Sequence, residues 1–560
     1  MRNVDPVLQG LGELQRIPEA LRFEIASRAP ALAQRRQLAA IVRGVKDTAL
    51  GRDLRVDDVR TLRDLQRRVP VQGYADVAPY VARQLAGEER VLTRERPVFF
   101  AQSTGTTGAP KLTPATPSYR RDFQRTVHVS MAQVALRFPR AFTGQVLYFV
   151  GPRDLDRAPS GAPIGYTSGF NFLTMPQAVR RLYAWPYELF LVRDLDARTY
   201  LAALLAVQAN VTFCAAIFPN AVLHLLRCLE ELAEPLARDL ARGELRDDLA
   251  LTGEQRAFFS GLVRRDPALA GRLLGEARSH GGRLPVAAAL PSLRLVYCWT
   301  SGSAGYYVPE LRERLGGGVA VRDAIYASNE AWANVTFGED EPGGPVALES
   351  AFYEFVEEGA WDRGVREGVG AEALEPGMRY RILVTTRAGL LRYDVGDIVE
   401  CTGRYHATPR ICFARRAGAS LNLAGEKLDE SHVTAAVGKV LARMGLLARF
   451  FTAVPRPHPR PRWEIAIELE REVSDDLLEE LRGAVDLALG EAAIDYAAYR
   501  RTALAPAALR VIARGEFERQ RRALVARGGQ DAQLKVVHLQ VDPEWLSGWH
   551  MEKIVEARQV

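Results

Sequence analysis

The chain has 560 residues, with 74 lysines and arginines against 68 acidic residues, a formal charge of +6. With 48% hydrophobic and 25% charged residues it has an ordinary globular composition. The surplus is slight and both signs interleave, with no basic stripe carrying aromatics, so nucleic acid is not an expected partner. In chain order, residues 6–90 read as helices broken by Gly and Pro, followed by a strand at Val98–Gln102. A Gly/Thr-rich loop leads into a helix from Pro117 to about Leu136. Strands and helices then alternate: strands at Val146–Val150, Val211–Phe218 and Leu293–Trp299, helices at Ala197–Val207 and Pro219–Ala233. Ala351–Val356, Arg379–Thr385 and Leu391–Tyr393 read as further strands. Arg410–Phe413, Trp463–Leu469 and a closing strand at Leu534–Val541 continue the pattern, with helices at Asp429–Met444 and Ser474–Leu489. The pattern predicts an α/β fold with layered sheets in a large N-terminal domain, residues 1–415. A small α/β C-terminal domain, 416–560, follows through Arg415-Arg416-Ala417-Gly418. The basic run Arg514–Arg527, interrupted by Glu516 and Glu518, reads as a solvated helix face.

The five cysteines form no CxxC pair and the eight histidines no HxxxH or HExxH, so neither a disulfide framework nor a zinc site is expected. Met1–Asp5 leads into charged, helix-like sequence, so a secretory leader is not expected here. Its most apolar window, Tyr200–Leu226, contains Gln208, Asn210, Asn220 and His224, short of the roughly 18 clean apolar residues a membrane span needs. A cytoplasmic protein with no membrane partner is expected; a monomer is compatible with the sequence, which leaves the oligomeric state open. Lysine is scarce. Lys46, Lys111, Lys427, Lys439, Lys535 and Lys553 are the only six, and the other 68 basic residues are arginine, the mark of a GC-rich genome. A surviving lysine is either accidental or a place where a compact ammonium resists replacement by a planar guanidinium.

Three clusters carry chemistry. Ser103-Thr104-Gly105-Thr106-Thr107-Gly108-Ala109-Pro110-Lys111 follows an apolar strand. Glycines let backbone N–H groups close on an anion, hydroxyls add donors, and the lysine adds a point charge, so the loop suits polyphosphate. Pro110 before the lysine and Leu112 after it disfavour a Walker loop. Tyr326-Ala327-Ser328-Asn329-Glu330 offers an aromatic ring and a carboxylate, and Tyr393-Asp394-Val395-Gly396-Asp397 ends a strand with two carboxylates.

With these motifs in this order, the chain resembles the adenylate-forming superfamily. Within it, the chain resembles the auxin-responsive promoter family of acyl acid amido synthetases, as a bacterial member. Val69–Tyr74 with Gly87-Glu88, Val384–Leu390, Phe413–Arg416, Lys427–Glu430 and Gln533–Lys535 extend the likeness over about residues 35–545. The resemblance implies ATP and Mg²⁺ as cofactors, and a carboxylic acid and an amine, an amino acid in this family, as substrates. It implies activation of the acid as an acyl-adenylate with release of pyrophosphate, then amide formation with release of AMP.

By motif match, Ser103, Thr104, Gly105, Thr106, Thr107 and Lys111 would line the polyphosphate. Tyr326 would lie by the adenine, Glu330 would hold Mg²⁺ and act catalytically, and Asp397 would bond the ribose. Arg416 would contact ribose or phosphate at a hinge near residues 413–420, about which the small domain would rotate between half-reactions. Lys427 would reach the α-phosphate as the second catalytic residue, whereas Lys535 has a weaker claim to the nucleotide. Arg120 and Arg121 are candidates to meet a second carboxylate of the acid, with Tyr166, Phe170 and Phe172 as an aromatic wall. Trp299 and Ser301 would border the reacting carboxylate. Asn329 and Asp394 depart from plant members, which usually have Ser and often Arg there, so Asp394 is not expected to take part directly. Two alternatives remain: adenylation with a thiol acceptor, and a non-catalytic nucleotide- or acyl-binding protein.

Overall fold

The structure is a computed structural model and describes residues 17–103, 111–417, 423–424, 426, 428–457, 460–526 and 536–557. The chain divides into two compact units, one running to Ala414 and the other starting at Arg415.

The first unit opens with helices, among them Ile17–Arg28, Pro30–Val45 and Tyr74–Leu85. Among the described residues it holds three sheets. Gln145–Tyr148, Val211–Ala215, Leu295–Cys298 and Ala320–Asp323 form a parallel sheet. Leu295–Cys298 is buried along its whole length, as expected for a strand covered on both faces. Phe99–Gln102 lies between Leu112–Ala115, antiparallel, and Pro163–Gly165, parallel, in a second sheet. The third is six-stranded and centred on Arg379–Thr385 and Tyr393–Tyr405, an antiparallel pair. Pro117–Arg137 forms the helix after the loop, with Thr116 accepting the Tyr119 N–H as its N-cap.

Two first-unit expectations need adjustment. The helix at Pro219 stops at Glu231 and a second one, Ala233–Arg242, begins after Leu232. The strand expected from Leu391 starts instead at Tyr393. Arg392, just before it, sits in the left-handed region at φ 45°, and its guanidinium is held in a buried ion pair, with Nε and Nη2 each 2.8 Å from the Glu354 carboxylate.

The second unit is a four-stranded sheet, Ala448–Arg456, Arg462–Leu469, Ala508–Ile512 and Met551–Val555 in that order, with helices Glu430–Met444 and Asp475–Ala492. The closing strand is therefore Met551–Val555, not Leu534–Val541. Residues 534 and 535 lie outside the described part, and the rest of that segment makes one bridge, Leu539 to Ala453. The Gln540 side-chain amide donates to the Val537 carbonyl, 3.0 Å away, and to the Thr452 hydroxyl. The basic run is not a wholly solvated face either. On the helix Glu516–Ala526, Arg521 is buried and paired with Glu518 at 3.0 Å.

Candidate active site

The loop base is closed by register. Gln102 pairs with Leu112 in the antiparallel ladder. The next pair outward bonds reciprocally: Ser103 N–H donates to the Lys111 carbonyl at 2.9 Å, and Lys111 N–H to Ser103 Oγ at 3.0 Å. The Lys111 ammonium lies 5.7 Å from the centroid of the Tyr74 ring, whose hydroxyl accepts the Leu112 N–H at 2.9 Å. Thr104, Gly105, Thr106 and Thr107 fall outside the described residues, as do Lys427 and Lys535.

The second and third motifs meet. Tyr326 leaves the end of the parallel sheet and Asp397 sits on Tyr393–Tyr405, yet the Tyr326 hydroxyl donates to Asp397 Oδ2 at 2.6 Å in a buried position. The tyrosine backbone is pinned by Asn334 Oδ1 at 2.8 Å, and its ring lies 5.6 Å from that of Phe413. Asp394 is used differently. Arg381 holds it in a fork at 2.9 and 2.5 Å, and it accepts the Gly396 N–H at 2.9 Å.

Glu330 stands on a tight turn. The Ser328 hydroxyl accepts the N–H groups of Glu330 and Ala331 at 3.2 and 3.1 Å. Between them, Asn329 ties the turn to two helices. Its carbonyl accepts from the Tyr119 hydroxyl at 2.9 Å, and its side-chain oxygen from the Thr167 hydroxyl at 3.0 Å. Burial first, and then the nearby Glu330 carboxylate, push the Tyr119 hydroxyl well above the ordinary tyrosine range. No motif in the sequence marks Tyr119 or Thr167. The one signal that points to them is Asn329, which in the sequence stands out only as a departure from plant members.

Asp323 braces the same end of the sheet. Its carboxylate accepts the N–H of Thr300 at 2.8 Å and of Gly343 at 2.7 Å, and burial raises its pKa against those bonds. The Trp299 indole donates to the Ile325 carbonyl at 2.8 Å, and its ring meets Phe218 edge-on at 5.1 Å. Ser301 bonds the Cys412 thiol, which burial pushes up to about 12, so no thiolate nucleophile stands there. Gly302, at φ 57°, has no room for a Cβ, which would meet the Phe413 ring at 2.7 Å.

The two arginines of the following helix separate. Successive helical residues point about 100° apart. Arg121 reaches the surface, bonding Ser118 Oγ at 2.7 Å with Glu95 at 3.8 Å. Arg120 turns inward over the Phe170 ring, 5.3 Å from its centroid, and Phe170 in turn stacks on Phe99 at 4.5 Å. Arg120 Nε is buried without a hydrogen-bond partner, its Nη2 reaches only the Thr174 carbonyl at 3.5 Å, and burial lowers its pKa. Tyr166 and Phe172 are also buried. Arg416 is exposed at the end of the strand Thr408–Arg416.

These motifs lie within a chain that matches the GH3 family N-terminal domain over residues 20–321, the central domain over 344–416 and the C-terminal domain over 431–544. The chain belongs to the GH3 family. Among curated relatives, it is 25% identical over 548 residues to indole-3-acetic acid-amido synthetase GH3.3 of Arabidopsis thaliana, covering 92% of this chain and 91% of that protein. A probable indole-3-acetic acid-amido synthetase, GH3.1 of Arabidopsis thaliana, is 26% identical over 434 residues, 75% of this chain and 72% of that one. Among solved structures, the GH3.15 acyl acid amido synthetase superposes with a TM-score of 0.84 at 21% identity, covering 96% of this chain and 97% of that one. A 2-hydroxyisobutyryl-CoA ligase in its postadenylation state, in complex with 2-HIB-AMP, gives 0.53 at 12% identity over 92% and 90% of the two chains. The mixed α/β architecture of this GH3 chain is that of the GH3 acyl acid amido synthetases.

Proposed function

We propose that this GH3 chain is an ATP-dependent acyl acid amido synthetase, a ligase that forms carbon–nitrogen bonds. A carboxylate oxygen of the acid attacks the α-phosphorus of ATP, the bond to pyrophosphate breaks, and an acyl-adenylate forms. The nitrogen of an amine, an amino acid in the reading the relatives' names support, then attacks the acyl carbon, loses a proton and expels AMP. The observation that carries this is the match to all three GH3 domains, with Lys111, Glu330 and Asp397 of the motifs in place.

The protein's share in such a reaction is positioning and charge stabilisation. Ser103 and Lys111 flank the loop that would hold the polyphosphate, with Thr104, Gly105, Thr106 and Thr107 inside it. Asp397 would accept from the ribose hydroxyls with its orientation fixed by the Tyr326 hydroxyl, and the Tyr326 ring would lie by the adenine. Arg120, inward-facing and short of partners, would meet an anionic group of the acid, beside Trp299 and Ser301. Arg416 and Lys427 would serve the ribose or phosphates, Lys427 being matched to the α-phosphate. In this reading residues 1–415 bind ATP and acid, and 416–560 contribute Lys427 through the hinge near residues 413–420.

Mg²⁺ fits the donor set. Among the described residues no three His, Cys, Asp or Glu side chains gather as a metal cage. A single carboxylate, Glu330, stands on the Ser328 turn, and Mg²⁺ in nucleotide sites is held by one or two carboxylates together with substrate phosphates. When bound, the ion neutralises phosphate charge. Glu330 would hold it, and the Asn329 bonds keep that turn in place. The chain's basic residues, arginine almost throughout, support a GC-rich bacterial source, and among the described residues no helix is long and apolar enough to cross a membrane; a cytoplasmic enzyme is the reading that follows.

The test is pyrophosphate release with Mg²⁺-ATP over a panel of carboxylic acids, followed by mass analysis of products formed with pooled amino acids and with coenzyme A. Amides accompanied by AMP are expected. AMP formation with no acid in the panel would sink the proposal, and thioesters in place of amides would move the acceptor to a thiol.

A further inference from the structure

At the end of the parallel sheet away from Tyr326 lies a cavity of about 640 Å³, within the range of small-molecule sites. Its wall comes from the turn after Pro117–Arg137, the segment entering Leu295–Cys298, the end of the helix Val308–Leu315, and the entry to Ala320–Asp323. Five arginines line it, Arg137, Arg140, Arg294, Arg312 and Arg322, and among the described residues no acidic one does. That composition is unusual for this chain, whose charges total 74 basic against 68 acidic and interleave along its length.

The arginines are incompletely neutralised. Arg322 is half-buried over the Phe138 ring at 5.2 Å and reaches Asp340, itself exposed, at 2.8 Å. Glu339 stands 3.9 Å from Arg137 and is shared with Arg410. Among the described residues, Arg140, Arg294 and Arg312 pair with no carboxylate, and Arg294 donates only to carbonyls of its own turn. Burial, together with the charges of Arg312 and Arg137, lowers the pKa of Arg322, so the cations repel across the space between them. Along one rim runs Gly316-Gly317-Gly318, where nothing lies within 4 Å of an added Cβ. A backbone bare of side chains can turn N–H groups toward an anion. Guanidinium forks match phosphate oxygens two at a time, and several can share a polyanion without each needing a carboxylate.

We propose that this arginine-lined cavity binds a small molecule bearing at least two phosphoryl groups, at a site separate from the adenylation loop. The source is an inorganic polyphosphate or a phosphorylated nucleoside, and the cavity recognises the phosphoryl groups they share. The site stands whether or not the chain makes amides, because it uses none of the motif residues.

Calorimetric titration of the full chain tests it, with tripolyphosphate as the probe. A Lys111→Ala background weakens binding at the loop, and Arg140→Ala with Arg312→Ala is added to it. Both arginines are exposed, so the variant should keep its melting temperature. The expected result is one bound equivalent fewer, or at least tenfold weaker binding, in the arginine variant. A nucleoside 3′,5′-bisphosphate run alongside identifies the source: tighter binding than tripolyphosphate assigns a nucleotide, weaker binding an inorganic chain. Identical isotherms with and without the two arginines would overturn the proposal, as would citrate binding as tightly as tripolyphosphate, which would reduce the cavity to a general anion patch.

Discussion

At the Tyr326 end of the parallel sheet, charge is spoken for. Asp323 accepts two backbone N–H groups and Asp397 accepts the Tyr326 hydroxyl. At the opposite end of the same strands, three of five guanidiniums pair with no carboxylate among the described residues. A buried polar group left without a partner costs free energy, whereas an exposed cation rests on water at little cost. The first end is thus rigid scaffolding whose removal should damage the fold. The second is solvated charge whose removal should leave the fold alone and change only what binds.

The largest expected effect tests the rigid end. Asp323→Ala orphans two N–H groups, each worth about 1–3 kcal/mol, so urea unfolding should show a loss of about 2–6 kcal/mol. Asp323→Asn, which keeps one acceptor, should lose roughly half of that. A loss under about 0.5 kcal/mol, the surface norm, would break the contrast. Next, Tyr326→Phe leaves the Asp397 carboxylate short of a donor. Stability should fall by about 1–2 kcal/mol and the KM for ATP rise about tenfold, since 1.4 kcal/mol is a factor of ten, with kcat less affected. An unchanged KM for ATP would detach Asp397 from the nucleotide.

A smaller change is expected from Asn329→Ala, which removes the Thr167 bond while the Tyr119 bond to the backbone carbonyl persists. About 1 kcal/mol of stability should go, and turnover should weaken through displacement of Glu330. Undiminished turnover would make the turn purely structural. The smallest effect belongs to the arginine end. Arg312→Ala should stay within about 0.5 kcal/mol of the parent and melt slightly higher at low salt, where repulsion among the guanidiniums is least screened. A clear loss of stability would mean that this end carries as much of the fold as the other.

Much of the framework was legible. The apolar run Leu293–Trp299 pointed to a buried strand, found at Leu295–Cys298, and Pro219 marked a helix start. The failures have physical causes. Met551–Val555 is a sheet strand whose Glu552, Lys553 and Ile554 are exposed, so it carries no alternating signal, while residues 536–541 meet the sheet through one bridge, Leu539 to Ala453. Helical periodicity places Arg120 and Arg121 on one helix but does not say which of them faces inward. The motifs of the candidate site could be read in order, but the bonds joining them could not. Tyr326 and Asp397 are 71 residues apart, and Thr167 and Asn329 are 162 apart; only folding brings them within a hydrogen bond.

Trp299 has a consequence of another kind. Its indole N–H rests on the carbonyl of Ile325, the residue before Tyr326, and its ring leans on Phe218. Indole emission responds to the polarity and hydrogen bonding around the ring, so a tilt of the tyrosine backbone would register as a change of colour. Of the seven tryptophans in the chain, this one is a built-in optical gauge, one bond from the residue matched to adenine.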